Sequence, residues 1–276
     1  MIKCSNCGGN QYIIQSVNEC ARAEVCSCSR KCEKCGGIGY TFTTDELGYE
    51  YTKECECSFL KKRIDFYNSA NIPLKYINTT IENFENYCKD LKHKESLNRA
   101  KYKLLRYRKS FKIGTKGILI SGPPGVGKTH LITSLISYIT LELGIRAKFI
   151  DFIHLLSDLK ENYNKNMSDI EILKPLVEVP VLAIDELGKG KCNEWELSIL
   201  DELISKRYNS SSTTLLTTNY PMEVKIDTKA SNSDEAIKKN FDCLRDRISP
   251  RIFSRLQEMC ELIVIEAPDY RSEAHN

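Results

Sequence analysis

Lys128 and Thr129 close the run Gly122-Pro123-Pro124-Gly125-Val126-Gly127-Lys128-Thr129, which has the complete spacing of a phosphate-binding loop. The glycines let the backbone curl so that its N–H groups converge on phosphate oxygens, and the N-terminus of a following helix adds a favourable dipole. Lys128 would reach the β- and γ-phosphates of a nucleotide, and the Thr129 hydroxyl would take a position on Mg2+. A second pair, Asp185-Glu186, ends the apolar run Val179-Pro180-Val181-Leu182-Ala183-Ile184. There Asp185 would hold Mg2+, directly or through water, and Glu186 could orient and deprotonate an attacking water. Asn219 ends a third run, Thr213 to Thr218, with an amide suited to touching the γ-phosphate or that water. Alone, Asp-Glu is often a turn and Thr-Thr-Asn a solvated strand end. In this order after a full phosphate loop, they point to binding of ATP or GTP.

The cysteines form a second chemical cluster. Nine of the 13 lie in the first 57 residues, and eight of these make a repeat. Cys4-Ser5-Asn6-Cys7 is answered by Cys32-Glu33-Lys34-Cys35, and Cys26-Ser27-Cys28 by Cys55-Glu56-Cys57. Each copy is Cys-x-x-Cys followed by Cys-x-Cys, and four such thiolates suit a tetrahedral structural Zn2+. Two Zn2+ ions are expected, since so short a region buries too little apolar surface to fold without metal. The simplest pairing is sequential: Cys4, Cys7, Cys26 and Cys28 for one ion, and Cys32, Cys35, Cys55 and Cys57 for the other. A nested pairing would join Cys4 and Cys7 to Cys55 and Cys57. The phrase Cys-x-x-Cys-Gly-Gly-x-Gly resembles the cysteine-rich region of DnaJ co-chaperones, whose sites are nested. An iron–sulfur cluster is the remaining alternative. Cys20 is left over.

These residues need elements to position them. Tyr40 to Thr43 and Tyr49 to Thr52, split by Leu47-Gly48, read as a hairpin between the second pair of cysteine motifs. Gly117 to Ser121 is a strand-like run before the phosphate loop, and Lys128 to Leu143 has helical periodicity closed by Gly144. Ala147 to Asp151 is another strand, and Trp195 to Tyr208 another helix. A helical stretch with Leu91, Leu97, Tyr102, Leu105 and Tyr107 precedes them. Alternation of strands and helices around a phosphate loop implies an α/β fold, a parallel sheet wrapped by helices. A final strand, Glu261 to Glu266, follows a basic segment with Arg245, Arg247, Arg251 and Arg255. An arginine there could act on a neighbouring subunit's nucleotide.

The net charge of +3 does not by itself argue for nucleic-acid binding, and the basic run from Lys101 to Lys112 reads first as a solvated helix face. No stretch approaches the roughly 20 apolar residues of a membrane span. The first residues lack the apolar core of a signal peptide, so a cytoplasmic location is expected.

Taken together, the motifs resemble the AAA+ ATPases. Within them they are similar to the bacterial replicative-helicase loaders of the DnaC/DnaI type and the related IstB transposition helpers. The resemblance rests on Gly122 through Leu131, including His130, and on Ile184-Asp185-Glu186-Leu187-Gly188 with Glu194-Trp195. It continues through Lys206-Arg207-Tyr208, Leu216 to Asn219, Ile252 to Leu256 and Asp269-Tyr270-Arg271, so it covers about residues 71 to 271. The resemblance implies a P-loop ATPase of AAA+ type with helices on both sheet faces. The 21 residues after Arg255 suggest the lidless form, without a C-terminal helical lid. It further implies ATP rather than GTP, Asn219 as a sensor, and Arg255, or else Arg251, as an arginine finger. Arg271 is a candidate substitute for a lid arginine. Implied partners are a hexameric replicative helicase, single-stranded DNA and further copies of the chain joined through the ATP sites.

The expected domains are a zinc region over 1–58, a connecting helical segment over 59–115 and the ATPase core over 116–276. A helicase loader is the leading expectation. An IstB-like transposition helper and a zinc-dependent protein-binding adaptor are the alternatives.

Overall fold

In a computed structural model the chain is described over residues 4–29, 32–163, 169–223 and 243–273. It divides into two compact units, Met1–Asn78 with Ile136–Ala147, and Thr79–Leu135 with Lys148–Asn276.

The first unit contains two hairpins. Strands β1 (Tyr12–Val17) and β2 (Cys20–Val25) pair antiparallel around Asn18 and Glu19, both with positive φ, which matches the twist of a two-residue turn. Small buried residues on β2, Ala21 and Ala23, make room for the helix that follows, α1 (Glu56–Ser69), whose Leu60, Ile64 and Tyr67 turn inward at helical spacing. The Asn68 amide fastens that contact: its Oδ1 accepts from Ala23 N at 2.7 Å and its Nδ2 donates to Ala23 O at 3.0 Å. Past α1, Ile72 is fully buried and its carbonyl accepts from Ala21 N at 2.9 Å, so this segment lies along β2. The second hairpin, β3 (Tyr40–Thr44) with β4 (Glu50–Glu54), has the predicted place but no comparable cover, and Tyr40, Phe42, Tyr49 and Tyr51 are exposed.

The second unit is built on a five-stranded sheet of order β6-β7-β8-β5-β9. Its strands are β5 (Gly117–Ser121), β6 (Ala147–Asp151), β7 (Val181–Asp185), β8 (Thr213–Thr218) and β9 (Cys260–Val264). The pairs β5–β8, β5–β9 and β7–β8 are parallel. Parallel strands covered on both faces read as continuous apolar runs, and every residue of β5, β7 and β8 is buried. Leu119, Leu182, Ile184 and Leu216 turn to one face. There they pack with α4 (Phe152–Tyr163), α5 (Asp169–Glu178), α6 (Glu194–Asn209), α7 (Leu244–Ile248) and α8 (Pro250–Met259). Ile118, Ile120 and Leu215 turn to the other face, as a period of two requires. Among the described residues the remaining α-helices are α2 (Leu91–Ser110), α3 (Lys128–Leu141) and the short α9 (Tyr270–Glu273) beyond β9.

Helices α2 and α6 each hold a feature that the sequence pattern does not show. The inward face of α2 is Leu97, Ala100, Leu104 and Tyr107, whereas Leu91 and Tyr102 are exposed. Arg207 on α6 is fully buried without a carboxylate partner. Its Nε donates to Thr214 Oγ1 (3.0 Å), Nη1 to the carbonyls of Leu176 and Val179 (each 2.8 Å) and Nη2 to Thr213 O (2.6 Å). It thereby answers the orphan carbonyls at the end of α5, where a cation is also favoured by the helix dipole. Burial pulls its pKa down to about 10, still far above neutrality. Arg207→Ala would strand several buried carbonyls, so urea unfolding should show a loss of about 3 kcal/mol or more. Arg207→Lys, unable to form the planar fork, should recover little of it.

Candidate functional site

The phosphate loop joins β5 to α3 and adopts a conformation only its glycines tolerate. Gly125 and Gly127 have φ of +76° and +88°, and a Cβ at either would also collide with a neighbour, the Asp269 carboxylate and the Phe84 ring respectively. Lys128 is buried, and its Nζ donates to the carbonyls of Gly122 and Pro123, each at 2.7 Å. Burial lowers its pKa to about 8, against the opposing pull of Asp185 and Glu186. His130 donates from Nε2 to Thr80 O (2.9 Å) and meets the Phe84 ring edge-on at 5.5 Å, and burial holds its pKa below the usual value. Pro123, Pro124 and Val126 complete the loop, Val126 fully buried.

Asp185 ends β7 with a buried carboxylate. The Thr129 hydroxyl donates to its Oδ2 at 2.9 Å, and the Thr217 hydroxyl donates to its Oδ1. Burial pushes the Asp185 pKa up, while these two hydroxyls work against the rise. Thr217 has a second task, since its Oγ1 accepts from Glu186 N at 3.0 Å. Glu186 takes a left-handed φ of +57°, and its carboxylate is paired with Lys189 three residues on. Asn219 directly follows β8, the strand between β5 and β7, and so stands between the phosphate loop and Asp185-Glu186 in strand order.

The structure also shows contacts here that the sequence did not announce. The register of β7 on β8 pairs Ile184 with Leu216, which sets Thr217 beside Asp185. Arg247 donates to Gly188 O (2.6 Å) and Gly190 O (2.9 Å) and stacks on Tyr220 at 4.3 Å, pinning the loop after Glu186. Asp269 and Tyr270 lie on the phosphate loop, with Tyr270 N donating to Gly125 O at 3.2 Å. Arg271 Nε is bonded to Asp269 Oδ1 at 3.1 Å. Arg255 instead donates to Asp201 Oδ1 (2.8 Å) and Ser205 Oγ (2.5 Å) on α6, and the more exposed Arg251 stands 3.7 Å from the same aspartate.

In the first unit the cysteines gather in the sequential grouping. Cys4, Cys7, Cys26 and Cys28 have all sulfurs within 4.8 Å of one another, as do Cys32, Cys35, Cys55 and Cys57. The closest cross-motif sulfurs are 3.9 and 3.6 Å apart in one group, and 3.6 and 3.3 Å in the other. Four sulfurs about 2.3 Å from a tetrahedral ion would be separated by about 3.8 Å, so each group fits one metal ion with no open position. A multi-iron cluster spreads its thiolates too widely for this spacing. The nested pairing is not the arrangement found. At Cys35, burial opposes ionisation, but the N–H of Gly39, the Cys57 thiol and the N–H of Gly37 outweigh it and bring the thiol to about 6. Cys20 stands outside both groups.

Lys128 generates a pH prediction. Its pKa of about 8 lies below the ordinary 10.5, and bound phosphate would raise it again. Nucleotide binding should therefore take up protons near pH 8.5 and much less at pH 7, where Lys128 is already charged. Calorimetry in buffers of different ionisation enthalpy measures this uptake. An uptake that does not change with pH would refute the assignment.

The IstB-like ATP binding protein family matches residues 72–273. The replicative helicase loader DnaC of Escherichia coli strain K12 is 27% identical over 158 residues, covering 57% of this chain and 62% of that protein. The chain thus spans less than two thirds of the length of the curated relatives it matches. A crystal structure of the DnaC helicase loader superposes with a TM-score of 0.54 at 30% identity, over 70% of this chain and 99% of that one. The structure of DnaI shares the fold, with a TM-score of 0.53 at 18% identity over 70% and 94% of the two chains. The family match begins after both cysteine groups and runs from before α2 to α9, and the chain belongs to the IstB-like ATP binding protein family.

Proposed function

We propose that this protein is an ATP-hydrolysing loader of a hexameric replicative helicase. The observation that carries the reading is the buried Asp185 carboxylate held by Thr129 and Thr217, with Glu186 one residue beyond it, in a chain similar to a helicase loader. Incoming phosphates would draw Lys128 away from the Gly122 and Pro123 carbonyls, and the loop N–H groups would surround them. Thr129 and Asp185 would hold Mg2+, which neutralises charge on the phosphate chain when bound. Glu186 would turn from Lys189 toward a water that Asn219 helps to place. As the water oxygen bonds to the γ-phosphorus, Glu186 takes its proton, and the bond to the β–γ bridging oxygen breaks to leave ADP and phosphate. Arg255, or Arg251, would leave Asp201 to reach a neighbouring copy's nucleotide, so that ATP couples self-association to hydrolysis. Arg271 could supply a further cation from the same chain.

By chemistry, residues 1–58 would form a zinc region that meets a partner, 59–115 a connecting segment and 116–276 the ATPase core, acting in the cytoplasm on helicase and single-stranded DNA. Among the described residues no helix is long and apolar enough to cross a membrane. An IstB-like transposition helper is the second reading, favoured by the family match itself.

Lys128→Ala should abolish nucleotide binding, and Glu186→Gln should bind ATP yet turn it over at least a hundredfold more slowly. Normal turnover by Glu186→Gln would remove that residue as the base. Arg255→Ala mixed with Glu186→Gln should regain hydrolysis only if sites are shared between subunits. ATP-loaded Glu186→Gln protein, used as bait in the native host, should retain a replicative helicase, and recovery of a transposase would favour the second reading.

Metal analysis should find close to two Zn2+ per chain. Cys35→Ser should lose one and Cys7→Ser the other, each with loss of protease resistance in the first unit. A content of one in the unmodified protein would refute the paired sites.

A further inference from the structure

We propose that the outward face of α2 binds single-stranded nucleic acid, its cations meeting phosphates and Tyr102 offering a ring on which a base stacks. The proposal rests on the reading of a protein that engages single strands, and gives that reading a surface.

Residues 91–112 hold nine lysines and arginines and a single glutamate, in a chain whose whole net charge is only +3. Six of these cations fall into two groups. Those on its flanks fasten the protein to itself: Lys101 Nζ donates to Glu82 O (2.7 Å) and Phe84 O (2.8 Å), Arg108 pairs with Glu82 at 2.6 Å and Lys92 with Glu266 at 3.4 Å. Directly opposite the buried Leu97, Ala100, Leu104 and Tyr107, the 3.6-residue period aligns Arg99, Tyr102, Arg106 and Lys109 in one stripe, with the exposed Glu95 one turn before it on the same side. Among the described residues, Arg99, Arg106 and Lys109 make no ion pair or side-chain hydrogen bond, and Tyr102 is 68% exposed.

Like charges three and four residues apart destabilise a helix, and here Arg99 faces Lys103 and Arg106 faces Lys109. A face kept only for solubility is served as well by mixed signs. From Arg99 to Lys109 this face carries positive charge alone, and cations gathered so along a helix are instead the footprint of a polyanion. The exposed ring set between arginines favours a single strand over an acidic protein, because unpaired bases present π-faces to stack on. The stripe runs about 15 Å along the helix, enough to follow a short stretch of backbone.

Fluorescence anisotropy of labelled oligo(dT) and oligo(rU) on the full chain, across salt concentrations, tests this. Replacing Arg99, Arg106 and Lys109 together with glutamine should weaken binding at least tenfold. It should also flatten the plot of log affinity against log salt by about 2, at about 0.7 per lost phosphate contact. Tyr102→Ala should weaken binding severalfold with an unchanged salt slope, and Tyr102→Trp should restore it. The ratio of dT to rU affinity tells whether the strand is DNA or RNA. Unchanged affinity and slope in the glutamine variant, with the unmodified chain binding well, would overturn the surface and leave the loader reading standing. Failure of the unmodified chain to bind any strand would overturn both. A face that holds polyglutamate as tightly as oligo(dT) and ignores Tyr102→Ala would belong to an acidic protein, which also overturns the proposal.

Discussion

A carboxylate at the buried end of a central strand must be satisfied by hydrogen bonds, and Asp185 imposes that requirement on the whole second unit. Water is largely excluded from it, so its charge depends on two hydroxyls. One comes from α3, the other from β8. Both hydroxyls reach it only if β8 lies between β5 and β7 and pairs with β7 in the observed register. The sheet order, the start of α3 and the position of Glu186 are thus tied to one buried charge. The same geometry leaves Asp185 and Thr129 side by side, where a cation between them would replace a hydrogen bond with stronger ligation.

Much of this was legible in the sequence, for a physical reason. Phosphate binding by backbone N–H groups fixes glycine spacing within eight residues, so Gly122 to Thr129 can be read from the chain alone. A tetrahedral metal would favour Cys-x-x-Cys and Cys-x-Cys pairs in the same local way, so the eight cysteines could be picked out, while the choice between sequential and nested grouping waited on the fold. What could not be read depends on distant pairings. Thr217 gained its place from strand register, Lys189 from a turn with three left-handed or glycine positions around it, and Asp269 from an approach to Gly125 across 144 positions of sequence. The buried face of α2 could not be singled out in the sequence because tyrosines stand on both sides of that helix. Leu97, Ala100, Leu104 and Tyr107 keep the buried period, and Tyr102 does not.

The duplicated cysteine region shows how equal motifs acquire unequal surroundings. Both hairpins are closed at the base by a cysteine group. The first carries Ala21 and Ala23 where α1 and the Ile72 segment approach, and the Asn68 amide completes the pairing. The second offers Thr41 and Thr43 between exposed tyrosines and phenylalanine, with no equivalent of Asn68 at its edge. A two-stranded ribbon is marginal by itself, so its order leans on the cysteine centre to a degree that the first hairpin avoids.

Three kinds of basic side chain in one unit make the general point about charge. Arg207 lies in a buried setting where carbonyls and the Thr214 hydroxyl accept from all three of its nitrogens, and so it serves the fold. Lys128 is just as enclosed but has only two carbonyls, and burial has cost it much of its hold on the proton. It is a cation awaiting an anion. Arg99, Arg106 and Lys109 keep full hydration beside one another, so nothing within the chain explains why they share one sign. Residue type is the same throughout. What separates support, ligand binding and surface recognition is whether the protein itself supplies enough acceptors, and that is a property of the fold rather than of the motif.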